Sequence, residues 1–339
     1  MTAESSGAVS VATISEESGS LRAAAALLAE VFREDHFDEE YLKWKYFENP
    51  FGESILLSAW VTDDSGRAMA GFRSFWRWRF RSGPVLVDAA QPCDTAVGGK
   101  YRRRGVFAAM TRAALDAAAA KGVDVLFNNP NPESEAGYLK MGWRETTGLH
   151  WYGKPVRRAK VAREFVTWGR SRPPLRWTRP GQSWDGTVDD RLLASVLDEA
   201  AGAFGSILRT SRDARFYRWR YGKAPHRAYG LAATHAAGEP GGFLFYGTGL
   251  RGGLREVLIL DFITSRPGAN TAKKLVREVI EAENPDWITV AATAAFPFLN
   301  DLRGAGFLSL LKTASVVVRH MPGVVPAPLA LTLGDIDTF

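Results

Sequence analysis

The chain has 339 residues, 46% of them hydrophobic and 24% charged, with a formal net charge of +6. That length suggests two domains rather than one, and the composition is that of a globular protein able to bury sizeable cores. No apolar run approaches the roughly 18 residues needed to cross a bilayer, residues 1–11 lack the pattern of a signal peptide, and the single cysteine, Cys93, excludes an internal disulfide or a cysteine-based metal cluster.

A cytoplasmic protein without membrane insertion is therefore expected. The positive charge is local. Between Lys154 and Arg179 nine Lys or Arg face one acid, Glu164, so the remainder of the chain is slightly acidic. This favours a solvated basic segment, with an anchor for phosphates or an acidic partner as its functional alternative, over a nucleic-acid-binding surface.

In chain order, residues 1–6 read as a frayed end, 9–14 as a strand and 21–32 as an amphipathic, Ala-rich helix. An aromatic segment, 40–50, ends at Pro50; strands follow at 55–61 and 69–80, joined by a turn at 63–66. A strand over 85–97 then runs into Gly98-Gly99-Lys100-Tyr101-Arg102-Arg103-Arg104-Gly105 and an Ala-rich helix at 106–120. A strand feeding a basic, glycine-bearing turn that opens a helix makes a phosphate cradle from free N–H groups and the helix dipole. Residues 123–127 read as the next strand, 128–132 as a break, and 134–142 as a short helix ending at Gly142, before Trp143.

Here the chain resembles the GNAT superfamily of CoA-dependent acyltransferases. Arg102 and Gly105 meet the family's pyrophosphate signature, which Phe107 departs from where a small residue is usual; Asn131, Ser134 and Tyr138 follow at the spacing of its second motif. The resemblance implies a mostly antiparallel α/β sheet flanked by helices, and acyl-CoA as co-substrate with no metal. Arg102, Arg103, Arg104, Gly105, Val106, Phe107 and Ala108 would hold the diphosphate. The backbone near Val97 would pair with the pantetheine arm, Asn131 would bond that arm, and Tyr138 would protonate the departing thiolate. A phenol, with an ordinary pKa of about 10, can make that donation at neutral pH.

Trp44 and Trp219 each have a bulky aromatic three residues before, a Tyr two after and a Pro six after, an internal repeat with an offset of 175 residues. The second copy continues through strands at 229–234, 242–247 and 256–264, a helix at 270–282, and a final strand and helix at 287–292 and 296–307. The chain thus resembles a tandem GNAT protein: an N-terminal catalytic copy over 1–153, a basic linker at 154–185, a degenerate copy at 186–322 and a tail at 323–339. In the second copy Leu302 stands for Tyr138 and Ala295 for Asn131, and its turn lacks the run of arginines. The live site is therefore expected in the first copy, with the second as scaffold for the acceptor pocket.

Asp94, just before the cofactor turn, is the best-placed general base, with Glu133, His150, Asp335, Asp337 or ordered water as alternatives. The tail is either a solvated acidic end or a segment that packs back and delivers Asp335 or Asp337 to a cleft. Cys93 reads as a small buried residue, with an acyl-carrying nucleophile as the alternative. The expected activity is N-acyl transfer to a small-molecule or glycosylated primary amine, with no nucleic-acid partner. By resemblance, such tandem proteins include enzymes that acylate the amino sugar of teicoplanin-type glycopeptide antibiotics, and others that act on nucleotide-linked amino sugars. A non-catalytic acyl-CoA binder is the remaining alternative.

Overall fold

The computed structural model describes residues 9–16, 19–63, 66–146, 148–169, 171–187, 190–234, 241–268, 270–324 and 326–337. The frayed end expected at 1–6 lies outside them. Two mixed sheets, mostly antiparallel, are flanked by helices. In the first, the strands Val9–Thr13, Ile55–Asp63, Gly66–Ser82 and Val85–Val97 pair antiparallel in sequence order. Alternation of large apolar residues drives this: Phe72, Trp76, Trp78 and Phe80 of the third strand are all buried.

The fourth strand then pairs parallel with Val125–Asn128, but only through Ala89↔Val125 and Ala90↔Leu126. Beyond those two pairs the strands part, and a wedge opens between them. The Ala-rich helix Val106–Ala120 crosses the sheet behind it, burying Val106, Met110, Ala114 and Ala118.

The second half repeats the plan with Gly230–Thr234, Gly242–Arg251 and Leu254–Thr264 in antiparallel order, then Trp287–Thr293 parallel to the last of these. The two halves exchange strands. Leu149–Pro155 leaves the first half to lie between Trp287–Thr293 and Leu308–Ala314, and Val317–His320 returns to lie between Val125–Asn128 and Arg144–Glu145. A division at residue 153 thus falls inside a strand of the second sheet.

The repeat itself meets at its centre. Helix Glu39–Tyr46 and the helical turn 214–222 bring Trp44 and Trp219 into a stack with ring centroids 5.5 Å apart. Each indole N–H donates to the other's backbone carbonyl at 2.8 Å. Asp38 and Asp213 cap the two segments in the same way, accepting from Tyr41 N–H and Phe216 N–H.

The basic segment expected to be solvated is instead packed on the second sheet. Its helix Arg158–Trp168 and strand Arg176–Thr178 dock there. Arg157 and Lys160 pair with the fully buried Asp286, and Arg172 pairs with the buried Glu256. Buried carboxylates in the second sheet need those cations, which is why the charge is local.

The tail also packs back, between the two parallel strands of the second half. Ala292 bridges to Thr332, Thr293 N–H donates to Leu331 O, and the turn Leu333–Asp335 lies against Leu254–Thr264. A Cβ on Gly334 would stand 3.0 Å from the Leu260 carbonyl and 2.2 Å from the Tyr221 hydroxyl, so only glycine fits there.

Replacing Trp219 by Phe keeps a ring in the stack but leaves the Trp44 carbonyl without its donor. The expected loss is about 1–3 kcal/mol of unfolding free energy, read by urea denaturation as a shift of one cooperative transition, because the exchanged strands couple the halves.

Candidate active site

The wedge between Val85–Val97 and Val125–Asn128 opens into a cavity of about 640 Å³. Of the residues singled out in the sequence, Asp94, Val97, Phe107, Asn131 and Tyr138 line it. Cys93, Ser134 and Asp337 line it as well, and the turn leading out of it carries the basic run. Arg102, Arg103, Arg104 and Gly105 are exposed at its surface, and Arg103 and Gly105 adopt left-handed φ values of 64° and 77°. The first intrahelical bond is Ala109 N–H to Gly105 O at 3.0 Å. The N–H groups of Val106, Phe107 and Ala108 therefore precede the helical ladder, as the N–H groups of a first helical turn that can receive an anion do. Val106 contributes only its backbone, since its side chain is core against Ala70, Tyr101 and Met110.

Asp94 sits on a bulge. Pairing skips from Ser74↔Cys93 to Phe72↔Ala96, so Asp94 and Thr95 together face Arg73, and Asp94 takes φ 40°. The bulge turns the Asp94 side chain to Lys45, whose Nζ lies 2.6 Å from its carboxylate, and to the Tyr46 hydroxyl at 2.5 Å. The tail completes the group, with Asp337 also bonded to Lys45. Burial, then the charge of Asp94, pushes the Asp337 carboxyl up to about 6, with Lys45 pulling the other way. Burial opposes the charge on Lys45, but Asp337 and Asp94 outweigh it and hold its pKa well above the ordinary value.

Of the alternative bases, only Asp337 joins Asp94 in this cavity. Asp335 is buried in an ion pair with Arg212 in the second half. His150 lies on the strand Leu149–Pro155 beside Thr313, and Glu133 is exposed on the helix Pro132–Lys140. Cys93 lines the cavity but is nine-tenths buried, bonded to Ser74 and Tyr46, and burial pushes its thiol well up, the opposite of an activated nucleophile.

Tyr138 both packs in the core and reaches the cavity. Its ring packs edge-on to Trp143 at 4.9 Å, under the Gly142 turn, while its hydroxyl faces the cavity 3.5 Å from the Arg73 guanidinium. Arg73 is fully buried, bonded to Thr95 Oγ1 and stacked over Phe107. Among the described residues it has no carboxylate partner. Asn131 is the N-cap of its helix, its Oδ1 accepting from Ser134 N–H at 2.9 Å. Gln91 is buried in the cavity wall with neither amide atom bonded by protein. A ligand rich in amides, as pantetheine is, fits that orphaned pair.

Lys45, Arg73 and Gln91 escaped the sequence reading. A lysine in Glu-Glu-Tyr-Leu-Lys-Trp-Lys-Tyr looks like the wet face of a helix, and an arginine alternating with aromatics in a strand looks like its outer face. One signal was available: the repeat offset of 175 pairs Lys45 with Arg220, a cation in the most aromatic stretch of each copy.

Residues 14–146 match the family described as Acetyltransferase (GNAT) domain. Over that stretch, about two fifths of the chain, the sequence is similar to a GNAT domain. The domain match supports an acyltransferase. No curated protein matches the sequence. Among solved structures, the GCN5-related N-acetyltransferase from Anabaena variabilis aligns over 92% of this chain and 73% of its own, with TM-score 0.63 and 12% identity. The N-myristoyltransferase of Saccharomyces cerevisiae with bound myristoyl-CoA aligns over 94% and 83%, with TM-score 0.54 and 10% identity. Eis1 from Mycobacterium abscessus aligns over 92% and 74%, with TM-score 0.54 and 15% identity. These likenesses are of fold, and they extend over both halves, so the second sheet belongs to the same architecture as the first. No helix of the described residues is long and apolar enough to cross a membrane.

Replacing Lys45 by Met leaves Asp94 and Asp337 facing each other in a buried site. The expected result is a loss of about 3–5 kcal/mol at pH 8 in chemical denaturation. A smaller loss is expected at pH 5, where the raised Asp337 carboxyl is protonated and the repulsion falls away.

Proposed function

We propose that the chain transfers an acyl group from CoA to a primary amine, in a direct complex of both substrates at the first-half wedge. One observation carries this reading. The unpaired edge of Val85–Val97 leads into the basic turn and carries Asp94, which with Asp337 forms a largely buried carboxylate pair, with the Tyr138 hydroxyl also on the cavity wall.

Acyl-CoA would supply an activated thioester carbonyl and a thiolate leaving group. The helix N–H groups at Val106, Phe107 and Ala108, with the arginines of the turn, bind the diphosphate, and Gln91 and Asn131 bond the amide-bearing arm. The bulge at Asp94 and Thr95 frees backbone N–H groups from the ladder near the reacting carbonyl, a place for polarising it. Tyr138 donates its proton to the departing sulfur, and the Arg73 guanidinium beside it stabilises the negative charge that develops there. Asp337, raised toward neutral pH, accepts the proton of the attacking amine directly or through water. Asp94 holds Lys45 and Tyr46 in place behind it.

The acceptor end favours an amine carried on a ring. Phe32, Phe37 and Tyr41 line the cavity there with Glu34, and an amino sugar offers an ammonium to the carboxylates and a flat apolar face to the aromatics. This supports an amino-sugar acceptor, including one borne by an antibiotic or a nucleotide.

Calorimetric titration with CoA thioesters of two, ten and sixteen acyl carbons tests the cofactor and its chain length. Binding is expected in the intact chain and lost when Gly105, whose left-handed φ strains any side chain, is replaced by Val; retained binding in that variant would remove the turn from the site. Tyr138→Phe should lower kcat about a hundredfold while leaving the CoA affinity unchanged, whereas a non-catalytic binder has no turnover to lose.

The pH profile checks the base. With a carboxyl near 6, kcat/KM should rise through pH 6 as Asp337 loses its proton, and Asp337→Asn should flatten that limb. An unchanged limb would transfer the role to another group.

A further inference from the structure

A second cavity, of about 600 Å³, lies beneath the helix Asp190–Phe204, where Arg81 and Gly83 of the first half meet Arg209 of the second, and among the described residues it shares no lining residue with the first. It is the counterpart of the acceptor end of the first cavity. At the repeat offset of 175, Glu34 becomes Arg209, Phe37 becomes Arg212 and Tyr41 becomes Phe216, next to the matching caps Asp38 and Asp213. The copy has kept a hollow and reversed its charge.

The arginines on its wall are not equally satisfied. Arg212 is held by Asp261 and Asp335, and Arg218 by Asp190. Arg81 and Arg209 have no carboxylate partner among the described residues. Arg81 Nε is buried without a hydrogen bond, and Arg209 makes one bond, from Nη1 to Ala201 O at 3.2 Å, while stacking 4.4 Å over Phe204. Burial, then repulsion from Arg81 and Arg212, pushes Arg209 down to about 10. Like charges held together in a half-buried hollow are unfavourable unless an anion joins them. Beside them the wall is apolar, with Leu197, Phe204 and Ile263.

We propose that this cavity binds a small molecule with an oxyanion head, a phosphate or a carboxylate, on an apolar body. The head sits between Arg81 and Arg209, where it supplies the missing counter-charge, and the body lies along Leu197 and Phe204.

Calorimetry on the full chain with octyl phosphate, octanoate and octylamine tests this, with CoA saturating the first cavity throughout. The expected result is one site for at least one of the two anions, none for octylamine, and an affinity at least tenfold weaker in both Arg209→Gln and Arg81→Gln. Whichever anion binds tighter identifies the head group. CoA binding by each variant, unchanged from the parent, checks that it is folded. The proposal is overturned if neither anion binds, if octylamine binds as well as the anions, or if both folded variants keep the parent affinity.

Discussion

The structure turns on two indoles. Trp44 and Trp219 stack at the centre of the internal repeat, and each satisfies the other's backbone carbonyl through its ring N–H. Such a reciprocal pair exists only if the two copies meet face to face about an approximate two-fold axis, because each residue must be donor and acceptor to its counterpart. Both groups are buried, so breaking either bond strands a polar atom in the core. The aromatic stretch around each Trp is therefore constrained as a unit. Phe51, Trp76, Trp78 and Phe216 pack into the same cluster.

That contact also decides what each neighbouring cation can do. Lys45 and Arg220 occupy equivalent places, one residue after each Trp. Lys45 reaches into the first wedge and joins Asp94 to Asp337. Arg220 reaches into the second and donates to the carbonyls of Gly334 and Ile336, at 3.2 and 3.3 Å. The same position thus serves as a bridge between carboxylates in one copy and as a clamp on backbone in the other. What differs is the ligand each wedge presents.

Much of this was legible in the sequence, for identifiable reasons. The strands, the Ala-rich helix and the basic turn are written in local pattern, and the match to a GNAT domain over residues 14–146 covers that same stretch. The repeat was legible because Trp, Tyr and Pro are rare enough for their spacing to stand out. The strand exchange was not: Leu149–Pro155 and Val317–His320 carry apolar alternation that suits either sheet, and nothing local specifies which edge a strand completes. The linker looked solvated because its cations are in sequence while their carboxylates, Asp286 and Glu256, are about a hundred residues away. Lys45 was missed for the same reason, since its two partners come from a bulge and from the tail.

The tail ties the two halves' different fates together. In the first half the parallel strands part after two pairs and leave a cavity; in the second they stay paired through four, and the gap beyond is filled by residues 329–336. Filling needs a chain that fits where a ligand would, and Gly334 against the Leu260 carbonyl supplies the close approach that a side chain would forbid. The ion pair of Arg212 with Asp335, fully buried, locks the segment there. One residue beyond Ile336 the chain has crossed to the first cavity, where Asp337 meets Lys45. The segment that closes one wedge is thus the segment that furnishes the other. A second copy with an open wedge would leave the first without that carboxylate, so loss of the second cleft and completion of the first are two ends of one packing arrangement.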